Sequence, residues 1–451
     1  MTPGPLAESA APFLEVLYGQ LLARGVQYFL PLGRLESRGS LPHVSTGMVF
    51  HPRAETGLRF DWLGHQYELT APGGQFTEHE ERLARAIGRA LAARYQLLID
   101  PRTAAQAPAI FSGLPEDRFV SAFLETGNFE NAMGLASATD RVSEAIEVLR
   151  ISALSTYEDK RISTGALLFG SLPDGCHSLP QRPADALPYS SELTSIRSFH
   201  RICDGLRTIA LVDRDGLMVE LVDVQEWAEP YNNIDLPVPT ARRYRTHSQA
   251  TVCGGHLCLV LTPNGEIKIF GEGVQLFSFL DGRWHLTDIA WKYGVFEEAI
   301  GNRDLANRLF TASLNLAERR RGGLLVVMDD ARKIRQLVSP RDLLGDAHAA
   351  RHGSKDQLHY LLRRRRVTEL SPQILETIAQ IDGSIVLDRQ GNLLAFGAIL
   401  RHHLPLDRDE EIGDGGRTAA AIGASAFGDV LKVSEGGQVS FYQKGHCVWT
   451  L

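Results

Sequence analysis

Two short segments near the end of the chain combine residue types that handle phosphate groups. Asp382–Ser384 (Asp-Gly-Ser) lies at the start of an apolar run, and Gly415–Thr418 (Gly-Gly-Arg-Thr) precedes an alanine-rich stretch. A carboxylate can bind a divalent cation, while a glycine-rich turn with an arginine can hold phosphate oxygens. Together the two segments predict a phosphate site for a nucleotide.

The elements around these segments occur twice in the same order. A helix, a buried strand, a loop-rich passage, a second helix, an Asp-Gly pair and two strands joined by a turn start near residue 142 and return after residue 301. The Asp-Gly pair is Asp204-Gly205 in the first series and Asp382-Gly383 in the second. A period of this size indicates two copies of one domain, because solenoid repeats are shorter.

The alignment of the two series extends beyond the Asp-Gly pairs. When Gly265 is placed on Gly437, Arg245-Thr246 falls on Arg417-Thr418 without a gap. We therefore predict three regions: an α+β module at 1–112, a first copy at 113–298 and a second copy at 299–451. The predicted fold class is α/β, with a mixed central sheet in each copy.

Local signals in the leading module predict its elements. The apolar spacing over residues 12–23 predicts a helix that Gly25 ends, and residues 26–30 are typical of a strand. Thr77 and Glu80 match a capping box, which predicts that a second helix begins there.

Other polar residues are interpreted as structural. Asp213 and Asp388 each open an Asp-Arg-x-Gly turn and are interpreted as hairpin corners rather than ligands. Cys253, His256 and Cys258 have metal-binding side chains but lack the paired spacing of a zinc site, so buried thiols are the preferred interpretation.

Composition limits the function classes. The 451 residues are 44% apolar and 22% charged with a net charge of −7, which argues for a globular protein and against one that coats nucleic acid. Five cysteines do not form a disulfide framework, and neither a signal peptide nor a run long enough to span a membrane is evident. We expect a cytoplasmic protein with no membrane partner.

The second copy resembles the diadenylate cyclase domain family, the nucleotide-binding domain of DisA-type proteins. The resemblance covers residues 300–451. The resemblance rests on three segments: a helix followed by Gly-Gly-Leu-Leu-Val-Val, the Asp-Gly-Ser where the family has Asp-Gly-Ala, and a closing Val-Ser-Glu at residues 433–435. The resemblance implies an α/β domain that pairs with a second domain, each holding one ATP, to make cyclic di-AMP.

The resemblance also implies roles for individual residues. Asp382 falls on the aspartate that binds Mg²⁺ or Mn²⁺ and helps to activate the ribose hydroxyl, and is thus the implied catalytic residue. The implied nucleotide-binding residues are Asp382, Gly383, Ser384, Gly415, Gly416, Arg417, Thr418, Ser434 and Glu435, with first-copy candidates at Asp204, Gly205, Arg245 and Thr246.

The second copy departs from the family at its phosphate motif, which is Arg-His-Arg. Arg417 falls on the first arginine, but Thr418 replaces the histidine, Ala419 the second arginine, and Gly416 a preceding threonine. Each lost charge-assisted hydrogen bond is worth about 1.5–3 kcal/mol, enough to slow phosphoryl chemistry by orders of magnitude. The first copy departs further.

These departures favour a sensor of an adenine nucleotide or cyclic dinucleotide whose catalytic motifs are eroded. The alternative is an active diadenylate cyclase that uses Mg²⁺ or Mn²⁺, and a scaffold that binds nothing stays open as a third interpretation. A homo-oligomer is left open, as is a pseudo-twofold pair formed by the two copies of one chain.

Overall fold

The computed structural model describes residues 5–42, 45–52, 57–71, 75–99, 113–125, 140–157, 159–170, 177–196, 198–344, 362, 365–401 and 415–451. The predicted domain boundary at residue 112 lies outside these ranges. The chain divides into two compact units, Met1–Asp235 with Thr246–Asp288 and Leu236–Arg245 with Ile289–Leu451. The predicted α/β fold with mixed sheets, preceded by an α+β module, is confirmed.

The leading module of the first unit is an antiparallel sheet with helices. The strand order is β1-β4-β3-β2, and one face is apolar because buried residues alternate along β3. Its helices and strands are α1 (Pro5–Phe29), β1 (Arg34–Ser40), β2 (Val49–Phe50), β3 (Gly57–Trp62), β4 (His65–Thr70), α2 (Glu78–Ile99) and α3 (Pro115–Leu124).

Helix α2 begins as predicted, whereas α1 corrects a prediction. The Thr77 amide donates to Glu80 Oε2 at 2.9 Å and the Glu80 amide donates to Thr77 Oγ1 at 3.1 Å, which is the expected capping box. Gly25 does not end α1, which continues to Phe29 in place of the predicted strand. A Cβ at Gly25 would lie 3.0 Å from Phe119 and 3.1 Å from Ile87, so this glycine allows close helix packing instead.

The rest of the first unit is built on a seven-stranded mixed sheet of order β13-β12-β11-β10-β7-β8-β9. Strands β7 and β10 are buried along their whole length, which explains their nearly continuous apolar sequence. The elements are α4 (Arg141–Ala153), β5 (Thr156–Tyr157), β6 (Lys160–Arg161), β7 (Thr164–Leu168), α5 (Phe199–Ile202), β8 (Thr208–Val212), β9 (Met218–Asp223), α6 (Val224–Ala228), α7 (Arg245–Gln249), β10 (Leu257–Leu261), β11 (Ile267–Gly271), β12 (Val274–Leu280) and β13 (Arg283–Leu286).

The second unit has a six-stranded mixed sheet of order β16-β15-β14-β17-β18-β19. Its central strand β14 is buried throughout. The elements are α8 (Ile289–Ile300), α9 (Arg303–Glu318), β14 (Gly323–Met328), α10 (Ile334–Leu337), α11 (Pro372–Ala379), β15 (Ser384–Asp388), β16 (Leu393–Ala398), α12 (Gly416–Ala424), β17 (Gly428–Val433), β18 (Val439–Gln443) and β19 (His446–Thr450).

The two mixed sheets share one topology over six strands. In each, the central strand pairs in parallel with the next strand of the chain (β7 with β8, β14 with β15), and every other pairing is antiparallel. Strands β7 to β12 therefore correspond in order to β14 to β19, and β13 is an addition to the first sheet. The internal repeat predicted from the sequence is thus present as a repeated topology.

Strand register gives the residue equivalence of the repeat. Leu168 lies beside Val212 and Leu257 in the first sheet, as Val327 lies beside Leu387 and Asp429 in the second. Val212 and Leu387 both precede an Asp-Arg-x-Gly turn, and Leu257 and Asp429 stand equally far before the aligned glycines. The sheet register and the gap-free sequence alignment therefore agree.

Two apolar layers enclose the second sheet. Helix α12 covers one face, where Ala421 and Ala424 share a buried cluster with Val326 and Val430. On the opposite face, the Phe441 ring of β18 packs edge-to-face on the Phe296 ring of α8, with centroids 5.3 Å apart. These layers fix α12 against β14 and β17 and so position the start of that helix.

A segment from the first half of the sequence belongs to the second unit. Within Leu236–Arg245, the Arg242 Nη2 atom donates to Glu376 Oε1 at 2.7 Å, and Asn315 Nδ2 donates to the same oxygen at 2.7 Å. Glu376 is 1% exposed, and Arg319 Nη1 lies 3.3 Å from its other oxygen. Two guanidinium groups thus compensate one buried carboxylate.

Candidate ligand site at one edge of the second sheet

Three separate chain segments meet at the edge where β14 begins. Gly323 is paired with Val433 of β17, and Leu325 lies beside Ile385 of β15. Continuing this register past the strand ends places Gly322 between Asp382 and Ser434. Because neighbouring strands are about 4.8 Å apart, these three positions are adjacent along the edge.

Only the first residue of Asp382–Ser384 presents a side chain to solvent. Gly383 has φ +115°, and a Cβ there would lie 2.5 Å from the carbonyl carbon of Gly397. Ser384 is buried and its Oγ donates to the Ala398 carbonyl oxygen at 2.9 Å. Gly383 and Ser384 therefore hold β15 against β16, and the Asp382 carboxylate is exposed at the sheet edge.

The start of helix α12 offers backbone donors. Gly415 is the N-cap residue and has no side chain to accept from the first-turn amides. Within the described part of the chain, no heavy atom comes within 4 Å of the position of a Cβ at Gly415 or Gly416. The Thr418 amide donates to the Gly415 carbonyl oxygen at 2.9 Å. The open space and the positive end of the helix dipole favour an anion at this point.

Arg417 extends from this helix across the sheet edge. Its guanidinium carbon lies 2.6 Å from where a Cβ of Gly322 would be, so the guanidinium lies directly over this glycine and would have to move if residue 322 had a side chain. Arg417 Nη1 lies 2.8 Å from Glu435 Oε1, and both side chains are largely exposed, at 45% and 71%. The Arg417 guanidinium, and more weakly that of Arg321, holds the pKa of Glu435 below its usual value.

Lys432, which is not among the residues predicted from the sequence, also reaches this helix. Its Nζ donates to Thr418 Oγ1 at 2.9 Å and lies 5.6 Å from the centre of the Tyr442 ring. The residue is only 7% exposed. The available signal was a single cation inside a buried apolar strand, Asp-Val-Leu-Lys-Val.

Ser434 has a structural task at the same edge. Its Oγ accepts from the Gln438 amide at 3.0 Å and so closes the turn between β17 and β18. The structure thus brings Asp382, Arg417, Ser434 and Glu435 to one edge, with Gly415, Gly416 and Thr418 at the helix that supplies Arg417.

In the first copy, Asp204 and Gly205 form part of a closed loop. Asp204 Oδ1 accepts from the amides of Leu206, Arg207 and Thr208 at 2.8, 2.7 and 3.1 Å. Gly205 has φ +71°, and a Cβ there would lie 2.3 Å from the carbonyl carbon of Thr164. The loop is therefore pressed against the start of β7.

By strand register, Asp204 is not the equivalent of Asp382. Ala166 lies beside Ala210, so Thr208 is next to Thr164, as Gly383 is next to Gly323. The residue at the Asp382 position is consequently Arg207, three residues after Asp204. The Asp204-Gly205 pair aligns in sequence but lies in a longer loop of the first copy.

The helix that follows in the first copy also differs. Arg245 is exposed and Thr246 half-buried on α7. His247, at the position of Ala419, is fully buried, and its Nε2 donates to the Gly205 carbonyl oxygen at 2.9 Å. In the first copy, this hydrogen bond therefore joins helix α7 to the loop that contains Gly205.

The hairpin corners are structural, as predicted. Asp388 accepts from the amides of Gln390 and Asn392 at 3.0 and 2.8 Å, and Asp213 accepts from those of Asp215 and Leu217 at 2.9 and 3.0 Å. These are the local bonds with which an aspartate stabilises a turn.

His256 and Cys258, which were not interpreted as metal ligands, lie in structural environments. His256 Nδ1 accepts from the Gly170 amide at 2.9 Å. Burial, with the nearby Cys203 as a smaller cause, raises the pKa of the Cys258 thiol. Across the described ranges, no three histidine, cysteine or acidic side chains are arranged to hold a metal ion. In the same ranges, no helix is long and apolar enough to cross a membrane.

Comparison with known proteins adds little. No family model matches the sequence, and no curated protein matches it. Among solved structures, a hypothetical membrane spanning protein from Bacillus cereus is 23% identical with a TM-score of 0.23, and covers 32% of this chain and 61% of its own. A double mutant of DacA from Staphylococcus aureus is 17% identical with a TM-score of 0.21, and covers 34% of this chain and 85% of its own.

The chain thus spans about three fifths of the Bacillus cereus protein. Both TM-scores are too low for either likeness to support a fold or a function, so nothing about the site is drawn from them.

Proposed function

We propose that the second copy binds an adenine nucleotide or a cyclic dinucleotide and that the protein acts as a sensor of that ligand. The observation that carries the proposal is the position of Arg417, which crosses Gly322 to the edge where register places Asp382. A guanidinium, a helix N-terminus and a carboxylate on one edge match the needs of a phosphate chain with its cation.

The adenine part of the proposal comes from the resemblance to the diadenylate cyclase domain. The preference for a sensor over an enzyme comes from Thr418 and Ala419, which replace two cationic residues of that family's phosphate motif. Loss of those charges weakens stabilisation of the transition state more than it weakens ground-state binding of base and ribose.

The residues fit a metal that arrives with the nucleotide. Mg²⁺ in phosphate sites keeps several waters and needs only one or two protein carboxylates, so the exposed Asp382 would suffice to hold Mg²⁺ or Mn²⁺. This availability of Asp382 is also the observation that favours the second candidate, an active diadenylate cyclase, in which the cation would neutralise charge on the phosphate oxygens.

Such a sensor belongs in a compartment that contains adenine nucleotides, and we propose the cytoplasm. Cys203 and Cys258 support this location, because both are buried, unpaired thiols and reduced cysteines are typical of reducing compartments.

Two measurements test the proposal. Thermal unfolding with ATP, cyclic di-AMP and AMP, each with Mg²⁺, identifies a ligand, since about 100 times the Kd adds roughly 2.7 kcal/mol of stability. Incubation with ATP and Mn²⁺ followed by chromatography then separates sensor from enzyme. We expect stabilisation without a cyclic product. A product that disappears in Asp382→Ala would establish the cyclase, and no stabilisation by any of these ligands would contradict both candidates.

A further inference from the structure

Lys432 is unusual among the residues of the second sheet. It lies on β17, paired with Leu324 of β14 and Ser440 of β18, in a strand that is buried along its whole length. Alternation places its side chain on the same face as that of Val430, the face that α12 covers. The equivalent residue of the first copy is Val260, so the fold itself does not require a cation here.

The charge of Lys432 is poorly compensated within the protein. Moving an ammonium group out of water is costly unless it is paired and hydrogen-bonded. The ammonium carries three N–H groups, and its hydrogen-bond acceptor is the Thr418 hydroxyl. In the ranges that the structure describes, no carboxylate lies within ion-pair distance of Nζ, and the centre of the Tyr442 ring is 5.6 Å from it.

Lys432 is directed towards the same place as the other donors of the candidate site. Its partner Thr418 lies on the first turn of α12, next to Arg417 and just after the open backbone of Gly415 and Gly416. The Lys432 ammonium therefore reaches the helix end from the sheet, whereas Arg417 reaches the sheet edge from the helix.

We propose that Lys432 binds a phosphate group of the ligand and supplies, from the neighbouring strand, a positive charge that Thr418 and Ala419 do not supply. The ligand class that follows is a nucleotide carrying a phosphate chain or a phosphodiester, and a bare nucleoside is a poor ligand. This inference rests on the proposed nucleotide-binding function and adds to it the group that recognises the phosphate.

The test uses the full chain and calorimetric titration with ATP–Mg²⁺, inorganic pyrophosphate and adenosine. Lys432→Met keeps the length of the side chain and removes its charge. It is expected to weaken ATP and pyrophosphate binding about 10- to 100-fold, the value of a charge-assisted hydrogen bond, and to leave adenosine binding unchanged. Lys432→Arg is expected to retain ATP affinity within about tenfold, because it keeps a cation near Thr418.

Lys333→Met is the matched control. Lys333 is an exposed lysine of the same unit that follows the opposite end of β14, and its loss is expected to leave all three affinities unchanged. Unfolding in the absence of ligand is a second readout. Lys432→Met is expected to raise Tm, because it removes a buried charge, whereas a purely structural lysine would lower Tm on removal.

The outcomes separate the two proposals. Equal ATP binding by wild type and Lys432→Met would overturn the role of Lys432 and leave the proposed function standing. Pyrophosphate binding that depends on Lys432, without binding of any nucleotide, would support the lysine and contradict the nucleotide sensor. A lower Tm for Lys432→Met with unchanged affinities would make Lys432 structural, and absence of binding by the wild type to all three ligands would contradict both.

Discussion

His247 Nε2 donates to the carbonyl oxygen of Gly205 at 2.9 Å, which joins helix α7 to the Asp204–Thr208 loop of the first copy. At the corresponding place in the second copy, Ala419 has no side-chain donor, and Arg417 extends over Gly322 instead. The repeat has therefore diverged at one edge of the sheet. The first copy uses its loop and helix for internal bonds, and the second copy presents charges there.

Loss of the His247 bond should destabilise the first unit. His247→Ala removes a fully buried side chain and leaves a buried carbonyl oxygen without its donor, so we expect a loss of about 2–4 kcal/mol in the free energy of unfolding. Urea unfolding followed by circular dichroism measures it. His446→Ala, at an exposed position of β19, is the control and should change stability by less than about 0.5 kcal/mol. Equal stability of the two variants would show that the bond contributes nothing.

Gly383 and Gly416 should respond oppositely to alanine. Gly383→Ala forces a Cβ to 2.5 Å from the Gly397 carbonyl carbon at φ +115°, and we expect a loss of at least about 2 kcal/mol. Gly416→Ala adds a methyl group in open space at the first helical residue, so a change between zero and a gain of about 1 kcal/mol is expected. Thermal unfolding compares them, and a Gly383→Ala variant as stable as Gly416→Ala would refute the strained turn.

Glu68 should make the stability of the leading module depend on acid pH. Its Oε1 accepts from Arg59 at 3.0 Å and its Oε2 from Arg38 at 2.6 Å, and these guanidinium groups hold the pKa of Glu68 below its usual value. A carboxyl whose pKa is lower when folded stabilises the folded state above its unfolded pKa of about 4.3, and that contribution disappears as the pH falls through the folded pKa.

The measurement is the stability difference between wild type and Glu68→Gln, from urea unfolding at several pH values. We expect the difference to be constant from pH 7 to about pH 5 and to shrink below about pH 4.3. A difference that is independent of pH down to pH 3 would mean that Glu68 does not titrate with its arginine partners as described.

The repeat could be predicted from the sequence because turn chemistry is local. Asp213 and Asp388 bond the amides of their own turns, and Gly265 and Gly437 both have positive φ values, +84° and +90°. Residues with such local conformational demands keep their types when the surrounding strands change. The alignment built on them agrees with the observed sheet register.

Other features depend on contacts between segments that are distant in the sequence, and they could therefore not be predicted from it. The loop after Asp204 is longer than its counterpart, so register rather than the Asp-Gly pair identifies Arg207 as the equivalent of Asp382. Gly25 was wrongly predicted to end a helix, because the packing of Phe119 and Ile87 on it could not be foreseen. Lys432 was not predicted as a site residue, because its hydrogen-bond acceptor, Thr418, lies on another element.

We predict that the second copy holds the phosphate site and that the first copy does not. Arg417→Ala and Arg245→Ala test it as a matched pair, because the two arginines are equivalent in the repeat. Calorimetric titration with ATP–Mg²⁺ is expected to give one site per chain, weakened about 10- to 100-fold by Arg417→Ala and unchanged by Arg245→Ala. Unchanged binding in Arg417→Ala, or loss of binding in Arg245→Ala, would contradict a phosphate site in the second copy.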